Sequence, residues 1–412
     1  MRTRIARTTT RAVNAASRRL GRGQGTVAGG RAGLRVDPKL LEHLSAGRQV
    51  ALVTGTNGKT TTTRLLTVAL GAAGDEVVSN ETGSNMPPGH VAALVGTDAP
   101  RAVLEVDEVY LPRVLSATGA SVVVLLNLSR DQLDRTNEVR MVAGRWRAAL
   151  AAAPRTHVVA NADDPLVVWG AGAASDVHWV GAGMRWQHDA VGCPSCEGRI
   201  EFGQRSWSCR DCEFARPTVE VELVAEAGGV PTAVWADGRR HEVRLALPGR
   251  FNQANALLAA VAAEVCGIDA GQALDAMAEV KDVAGRFTVR AFGGKDARLM
   301  LAKNPAGWDE LLDLVAGGTT PLVVSINARV ADGADPSWLW DVPFERVAGR
   351  TVVATGDRYR DLSVRLRYAG VAHTTEEDPA RAVATAAAGD ADVLVDVIGN
   401  YTAFHDLLGA PT

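Results

Sequence analysis

The stretch "ALVTGTNGKTTTT", residues 51–63, decides the fold class of this chain, because an apolar strand ends there in a glycine-bearing turn that leads straight into a helix. Glycines in such a turn let backbone N–H groups approach phosphate oxygens, a lysine adds positive charge, and a hydroxyl can hold Mg²⁺. The spacing differs from the usual G-x4-G-K-[ST] loop, since position 53 is Val and the first glycine is Gly55. The stretch predicts a nucleotide phosphate site at Gly55, Thr56, Asn57, Gly58, Lys59, Thr60 and Thr61.

Outward from this loop, β-branched apolar runs alternate with helical patterns, which predicts an α/β fold with a parallel sheet covered on both faces. The sequence changes over residues 176–247 to short strands, typical of a small antiparallel β insertion. After a strong helical pattern from residue 252, the alternation restarts and predicts a second, smaller α/β domain at residues 285–412. The predicted strands of the first domain are the apolar runs 49–55, 101–107, 121–129 and 156–164.

The composition favours a globular protein of more than one domain. At 412 residues and 43.3 kDa, the chain is long enough for two or three domains. Its 47% hydrophobic and 22% charged residues are typical of soluble proteins, and no apolar run approaches the roughly 20 residues that span a bilayer. A net charge of -3 indicates neither a nucleic-acid binder nor a strongly acidic surface.

The first 36 residues are rich in arginine and contain no acidic residue before Asp37. They lack the apolar core of a secretory signal, although an Arg-rich and Ser/Thr-bearing stretch can imitate a transit peptide. We interpret residues 1–36 as a basic arm: either a solvated helix without a specific partner, or a segment attracted to anionic lipid headgroups. The expected organisation is this arm, an ATP-binding domain at 37–284, and the smaller domain at 285–412.

Four of the five cysteines form two C-x2-C pairs within residues 190–216, separated by twelve residues. Four thiolates on two such turns predict a closed tetrahedral Zn²⁺ site, with no position left for water or substrate. A nucleic-acid ribbon would add a basic aromatic surface, but here Glu197 and Glu201 oppose Arg199 and Arg205. We therefore expect a structural zinc ribbon and a reducing compartment. The predicted zinc ligands are Cys193, Cys196, Cys209 and Cys212, and the remaining Cys266 is expected to fill core space.

The loop "TGTNGKTTT" resembles that of the Mur ligase superfamily, whose members form amide bonds through ATP-derived acyl phosphates. Glu105, at the end of the strand "AVLEVD", matches the family's Mg²⁺-binding glutamate, which would share the ion with Thr60. The segment 127–135, "NLSRDQLDR", resembles the family's N-x-x-x-D-H-L-D-R with Gln132 in place of His, and "NADDP" at 161–165 closes another strand. In "FNQANALLAA", 251–260, the resemblance implies that Asn255 contacts the adenine.

Two departures from the sequence pattern of the superfamily narrow the set of ligases that this chain resembles. The phosphate loop begins at residue 54, which leaves no room before it for the UDP-binding domain of the amino-acid-adding ligases, so a nucleotide-linked precursor is not expected. In the last domain, residues 301–307 read "LAKNPAG" where other members have D-Y-A-H-x-P. With the stretches at 325–345, 354–370 and 392–404, these features resemble the MurT family of ligase subunits.

The MurT resemblance implies a function, a partner and a location. The α-carboxylate of D-glutamate in the lipid II stem peptide would be phosphorylated by ATP and amidated to D-isoglutamine. Ammonia would come from a GatD-type class I glutamine amidotransferase in a heterodimer, because this chain has no amidotransferase nucleophile motif. ATP, Mg²⁺ and Zn²⁺ are the implied cofactors, and the work would be done in the cytoplasm at the inner face of the membrane.

The resemblance also implies catalytic residues. Lys59, Glu105 and Arg286 would neutralise charge during phosphoryl transfer, although an arginine at a domain junction can equally be a salt-bridge partner. In "ADGADPSWLWD", 331–341, Asp341, with Asp335 as reserve, would orient the histidine of the partner's glutaminase. The alternative is an acidic turn with both tryptophans packed beneath it.

Two other functions stay open from the residues alone. One is an independent amino-acid ligase of the same superfamily, such as a folylpolyglutamate-synthase-like enzyme. The other is a zinc-ribbon nucleic-acid or scaffold protein with a regulatory nucleotide site, which the near-neutral charge and the complete phosphate loop argue against.

Overall fold

A computed structural model describes residues 1–19, 26–80, 84–130, 139–225, 229–281, 287–292, 294–387 and 393–409. The chain divides into two compact units. The first unit lies within residues 1–129, 138–246 and 250–284, and the second within residues 130–137, 247–249 and 285–412.

The first unit is an α/β unit. Its described helices are α1 (Arg2–Arg19), α2 (Thr26–Val36), α3 (Leu40–Ser45), α4 (Lys59–Gly71), α5 (Pro87–Leu94), α6 (Leu111–Thr118), α7 (Val139–Ala151), α8 (Pro165–Ala171), α9 (Arg250–Val265) and α10 (Ala270–Ala278). Its described strands are β1 (Gln49–Thr54), β2 (Val77–Ser79), β3 (Arg101–Glu105), β4 (Val122–Leu125), β5 (His157–Asn161), β6 (Val177–Gly181), β7 (Ile200–Phe202), β8 (Trp207–Cys209), β9 (Val221–Val224), β10 (Thr232–Trp235) and β11 (Arg240–Glu242).

A nine-stranded sheet in the order β11-β10-β9-β6-β5-β4-β1-β3-β2 forms the centre of this unit. The strands β1 to β6 are mutually parallel, and the central strands β1, β3, β4 and β5 are almost fully buried, as their continuous apolar runs predict. Strand β10 is antiparallel to both β9 and β11, but β9 pairs in parallel with β6 and so extends the main sheet. The expected β insertion is therefore only the separate two-stranded ribbon of β7 and β8.

The N-terminal segment differs from the expected solvated arm. Helix α1 buries Ala6, Thr10 and Asn14, and it packs on α2, which in turn packs on α5. A Cβ atom built on Gly33 would lie 2.1 Å from Thr10 Oγ1, so the glycines of α2 permit the close approach of the two helices. Sequence periodicity gave no signal for this contact because its buried residues are small or polar.

None of the described helices combines the length and the apolar character needed to cross a membrane.

The second unit is a smaller α/β unit. Its sheet has the order β12-β13-β17-β14-β15-β16, in which β12 is antiparallel to β13 and the other pairs are parallel. Its strands are β12 (Phe287–Phe292), β13 (Lys295–Leu301), β14 (Leu322–Ser325), β15 (Val352–Thr355), β16 (His373–Thr375) and β17 (Val395–Gly399). Its helices are α11 (Pro305–Ala316), α12 (Tyr359–Tyr368), α13 (Pro379–Ala386) and α14 (Tyr401–Gly409), with 3-10 turns at Pro336–Asp341 and Phe344–Val347.

Candidate functional site

The phosphate loop connects the carboxyl end of β1 to the start of α4. Gly55 has φ +146° and Gly58 has φ +85°, both in the region that favours glycine. A Cβ atom on Gly55 would lie 2.9 Å from Leu126 Cβ and 3.0 Å from the backbone N of Asn127. The backbone conformation therefore requires glycine at both positions. At Gly55 the close approach of the segment that follows β4 also leaves no room for a side chain.

Asn127 holds the loop in shape from the neighbouring strand. Its side-chain Oδ1 accepts a 2.8 Å hydrogen bond from Asn57 N, and its Nδ2 donates to Asn57 O at 3.0 Å. Its backbone carbonyl accepts from Thr56 N at 2.9 Å, and the Thr56 hydroxyl donates to Ser129 O at 3.0 Å. The N–H groups of Thr56 and Asn57 are thus hydrogen-bonded inside the protein and fix the shape of the loop.

The Lys59 ammonium lies within this loop and is mostly buried. It donates to Gly55 O at 2.5 Å, to Thr56 O at 3.0 Å and to Glu108 Oε2 at 3.1 Å. These acceptors match its three N–H donors. Lys59 is therefore positioned at the loop, and a phosphate oxygen would have to replace at least one of these acceptors.

Glu105 lies at the same edge of the sheet, because it is paired with Val53 at the end of β1. Its backbone is fixed by Asn80, which accepts from Glu105 N at 2.8 Å, and by His90 Nε2, which lies 2.8 Å from Glu105 O. Burial lowers the pKa of His90 to about 4, so this ring is neutral and donates through Nε2.

The Glu105 carboxylate fits a cation site. It is only 4% exposed, and Asn85 Nδ2 at 3.4 Å is its hydrogen-bond donor. Among the described residues, no cationic side chain pairs with this carboxylate. A buried carboxylate is stable when a cation or hydrogen bonds compensate its charge, so Glu105 suits Mg²⁺, for which oxygen ligands are preferred.

Asn255 lies against the loop from α9. A Cβ atom on Gly58 would lie 2.7 Å from Asn255 Oδ1, and Asn255 itself is buried. The packing of α9 on α4 thus brings the amide of Asn255 beside the N-terminus of α4.

The four cysteines are brought together in an arrangement that could hold a metal ion. Their Sγ atoms all lie within 4.8 Å of one another, with 3.8 Å between Cys193 and Cys212 and 3.5 Å between Cys196 and Cys209. A tetrahedral Zn²⁺ with Zn–S bonds of about 2.3 Å needs sulfur atoms about 3.8 Å apart. The geometry therefore fits a closed ZnS₄ site.

The backbone around these cysteines has the tight turns that such a site needs. Glu197 has φ +68° and donates its N–H to Cys193 O at 2.9 Å, and Asp211 N donates to Cys209 Sγ at 3.4 Å. Trp207 Nε1 donates to Ala162 O at 2.9 Å, which anchors the ribbon to the main sheet.

The second unit carries the segment with two tryptophans, and the structure separates them. Trp338 is buried, with its ring centroid 6.2 Å from that of Trp308, whereas Trp340 is 54% exposed. The ring of Trp340 lies edge-on to Tyr368, at 5.3 Å between centroids. The expectation that both tryptophans pack beneath an acidic turn is therefore wrong for Trp340.

The two candidate aspartates of this segment also differ. Asp335 caps the 3-10 turn by accepting from Ser337 N at 2.8 Å. The side chain of Asp341 is 41% exposed, and its Oδ2 lies 3.5 Å from Arg130 Nη2. Asp335 thus has a local structural role, and Asp341 is accessible at the surface.

Two family models match the chain. The Mur ligase middle domain matches residues 53–192, which include the phosphate loop and Glu105 and end just before Cys193. The MurT ligase C-terminal domain matches residues 301–404 in the second unit. The chain belongs to the MurT family of Mur ligases.

Relatives over most of the chain agree with this membership. Subunit MurT of lipid II isoglutaminyl synthase (glutamine-hydrolyzing) from Staphylococcus aureus is 28% identical over 415 residues, 95% of this chain and 94% of that protein. The same subunit from Streptococcus pneumoniae is 28% identical over 84% of this chain and 83% of its own length. A pseudomurein peptide ligase type C from Methanothermus fervidus has a similar fold, with a TM-score of 0.67 at 20% identity, over 88% of this chain and 78% of that one.

Within this MurT-family chain, the structure brings the loop residues 55–61, Glu105 and Asn255 to one edge of the first sheet. Arg286 and residues 131–135 of the motif at 127–135 lie outside the described residues. Asp341 belongs to the second unit.

Sequence reasoning missed the residues that hold this site in place. Asn127 clamps the loop, Glu108 binds Lys59, and Asn80 and His90 fix the backbone of Glu105. Asn127 had a usable signal, since it begins the motif at 127–135 directly after a buried strand. Asn80 and His90 had none, because their contacts depend on the packing of β2 and α5 against β3.

Proposed function

We propose that this chain is the ligase subunit of a lipid II isoglutaminyl synthase. It would amidate the α-carboxylate of the stem-peptide D-glutamate by way of an acyl phosphate, with ATP as phosphoryl donor and ammonia as nucleophile. The observation that carries this proposal is the similarity to a MurT subunit over 95% of the chain, because it spans both units.

The loop geometry supports the phosphoryl-transfer half of the reaction. We propose that the first turn of α4 and Lys59 bind the nucleotide phosphates, with Thr56 and Asn57 shaping the loop through Asn127. Glu105 and Thr60 would hold Mg²⁺, which neutralises charge on the transferred phosphoryl group. Asn255 would contact the nucleotide base, and Arg286 stays a candidate for a further positive charge.

In the chemical sequence, an oxygen of the substrate carboxylate attacks the γ-phosphorus of ATP, and ADP leaves. The resulting acyl phosphate has a good leaving group, so ammonia attacks its carbonyl carbon and inorganic phosphate departs with the acyl C–O bond electrons. The nitrogen becomes positively charged as ammonia attacks, and it releases one proton as the neutral amide forms. Lys59 is suited to the first step because its positively charged ammonium would stabilise the negative charge on the transferred phosphoryl group.

A surface of the second unit supports an ammonia-supplying partner. Trp340 is 54% exposed and Tyr368 is 77% exposed, and Val364 lies one helical turn before Tyr368 and is also exposed. Exposed aromatic residues are favoured anchors in protein interfaces. We propose that a GatD-type class I glutamine amidotransferase docks here, with Asp341 next to this patch orienting its catalytic histidine.

The zinc ribbon would stabilise the first unit rather than act in catalysis. Four thiolate ligands leave a Zn²⁺ ion no open position, and Trp207 ties the ribbon to Ala162 at the end of β5. We propose that Zn²⁺ is bound at Cys193, Cys196, Cys209 and Cys212.

The proposed lipid-linked substrate places the reaction in the cytoplasm at the inner face of the membrane. Arg4, Arg11 and Arg18 recur every seven residues along α1 and are exposed, although the Arg11 guanidinium also donates to Val95 O. Such a row of arginines would be attracted to anionic headgroups. We propose peripheral membrane contact at α1, which sedimentation with anionic vesicles, compared with zwitterionic ones, would test.

The proposed function is tested by co-purifying the chain with a GatD-type amidotransferase and adding lipid II, ATP and glutamine. Mass spectrometry should find the D-glutamate carboxylate replaced by a carboxamide, with ATP consumed. Free ammonium should replace glutamine when the ligase subunit is assayed alone. An unchanged stem peptide under both conditions, with the complex intact, would reject the proposal.

A further inference from the structure

A second group of metal-binding side chains lies in the first unit, away from the cysteines. One ligand atom from each of His157, Asp176 and His178 falls within 4.8 Å of the other two. Asp176 Oδ2 lies 2.6 Å from His157 Nδ1 and 3.8 Å from His178 Nε2.

The sheet itself creates this group. His157 begins β5, Asp176 directly precedes β6, and the parallel pairing aligns Val159 with His178. Side chains two residues apart on a strand point to the same face, so His157, Asp176 and His178 share one face of the sheet. Their backbone is fixed there by the hydrogen bond from Val158 N to Asp176 O at 3.1 Å.

His178 is already oriented as a metal ligand. Its Nδ1 lies 2.9 Å from Glu220 Oε2. A carboxylate only accepts hydrogen bonds, so Nδ1 carries a proton and Nε2 is the ring nitrogen that can bind a metal. Metal-binding histidines commonly donate their other ring N–H to a carboxylate in this way.

The Nε2 atom of His178 lacks a hydrogen bond in the described structure. It is shielded from solvent and has no hydrogen-bond partner among the described residues. A buried nitrogen without a partner is costly, and it is directed at the Asp176 carboxylate that also contacts His157. A cation between these three groups would satisfy it.

We propose that His157, Asp176 and His178 bind a divalent cation of the Zn²⁺ class. Two imidazole nitrogens and one carboxylate oxygen suit Zn²⁺, whose bonds of about 2.0–2.2 Å put tetrahedral ligand atoms roughly 3.3–3.6 Å apart. The distances of 2.6 and 3.8 Å lie on either side of that spacing, and the side chains are 25–49% exposed, so small rotations suffice. Water would complete the coordination.

The position of this site assigns it a structural or regulatory role. The phosphate loop follows the carboxyl end of β1, whereas these residues lie at the amino ends of β5 and β6, which run parallel to it through β4. The site is therefore at the opposite edge of the sheet from the nucleotide. Its ion would tie β5 to β6 without taking part in amidation.

Zinc content measures the proposal directly. The full chain, carrying no histidine tag, is saturated with ZnCl₂, exchanged into buffer with a weak chelator, and assayed by mass spectrometry of the metal. Wild type should keep one Zn²⁺ per chain more than the cysteine ribbon can hold. His178→Gln and Asp176→Asn should each lose that one ion and keep amidation activity.

A matched control separates a metal site from an ordinary histidine–carboxylate pair. His241 Nε2 lies 3.1 Å from Asp275 Oδ1 in the same unit, and among the described residues this pair is not part of a three-ligand group, so His241→Gln should keep the wild-type zinc content. Asp176→Asn is nearly isosteric and half-exposed, which protects the test against misfolding of one variant. Wild-type zinc content equal to the ribbon's alone, or unchanged in both site variants, overturns the proposal.

Discussion

Lys59 Nζ lies 3.1 Å from Glu108 Oε2, and both side chains are mostly buried beside the phosphate loop. The ammonium is thus held by a carboxylate 49 residues away until phosphate competes for it. Lys59→Ala should weaken nucleotide binding or turnover by about 10- to 100-fold, the value of a charge-assisted hydrogen bond of about 1.5–3 kcal/mol. Nucleotide titration and steady-state ATP consumption would measure this.

Arg64→Ala provides the matched control for that change. Arg64 is an exposed cation on the same helix, beyond its first turn. Equal losses in both variants would mean that α4 needs positive charge in general, and would contradict a specific role of Lys59.

Asp341→Asn should separate the two sources of ammonia. We expect glutamine-driven amidation to be lost in the complex, while amidation with free ammonium continues, because the side chain is exposed and the phosphate loop is untouched. Asp335→Asn is the control, since an asparagine Oδ1 can still accept from Ser337 N and cap the 3-10 turn, so both activities should continue. If Asp341→Asn abolishes both activities, its proposed role is wrong.

The local part of the nucleotide site could be predicted from sequence, and the long-range part could not. The stretch at residues 51–63 predicts a strand, a turn and a helix from local sequence alone, and the positive φ angles of Gly55 and Gly58 require glycine in the turn. Glu108 and Asn127 act on the loop only because parallel strands bring chain segments 49 to 70 residues apart to one edge. No spacing rule within the sequence encodes that contact.

The same reasoning explains the N-terminal segment and the strands after the ribbon. The burial of α1 rests on glycine, threonine and asparagine, which hydrophobic periodicity does not detect. The antiparallel character of β9 to β11 could be predicted from their short alternating pattern, but not that β9 joins β6, because pairing between distant strands depends on the assembled sheet.

Cys196→Ser should release the ribbon zinc and lower thermal stability without changing which substrate is amidated. The reason is that a closed four-thiolate site stabilises a small two-stranded ribbon that has little core of its own. Metal analysis and thermal unfolding would measure both effects. Cys266→Ser is the control, because this buried thiol lies outside the cluster and should leave the zinc content unchanged.

Gly30→Ala should destabilise the first unit. A Cβ atom at this position would lie 1.8 Å from the backbone O of Pro88, so α2 must move away from α5, at a cost of about 1–3 kcal/mol for overpacking. Gly71→Ala, at the end of α4 with nothing within 4 Å of the added atom, should be neutral or slightly stabilising. Similar unfolding temperatures for the two variants would contradict the close packing of the N-terminal helices.

The raised pKa of Asp164 should make the free energy of unfolding depend on pH. It is fully buried at the start of α8, and burial raises the pKa of its carboxyl from 3.8 to about 6, although three backbone N–H groups donate to it. Between these values the folded chain keeps a proton that the unfolded chain has released. The resulting stability is fully present below about pH 4 and is lost as pH rises through 6, by at most about 3 kcal/mol.

An amide at this position carries no charge at any of these pH values, so it isolates the effect of Asp164. Asp164→Asn should be less stable than wild type at pH 4, because its amide N–H₂ faces the N–H of Leu128. The difference in free energy of unfolding should move in favour of the variant by up to about 3 kcal/mol between pH 4 and 7, measured by urea unfolding. Asp269→Asn replaces the exposed N-cap carboxylate of α10 by an amide that can still cap the helix, and it should show no such change. If the difference in free energy of unfolding between Asp164→Asn and wild type stays constant with pH, the three backbone donors outweigh burial and keep the Asp164 carboxylate ionised.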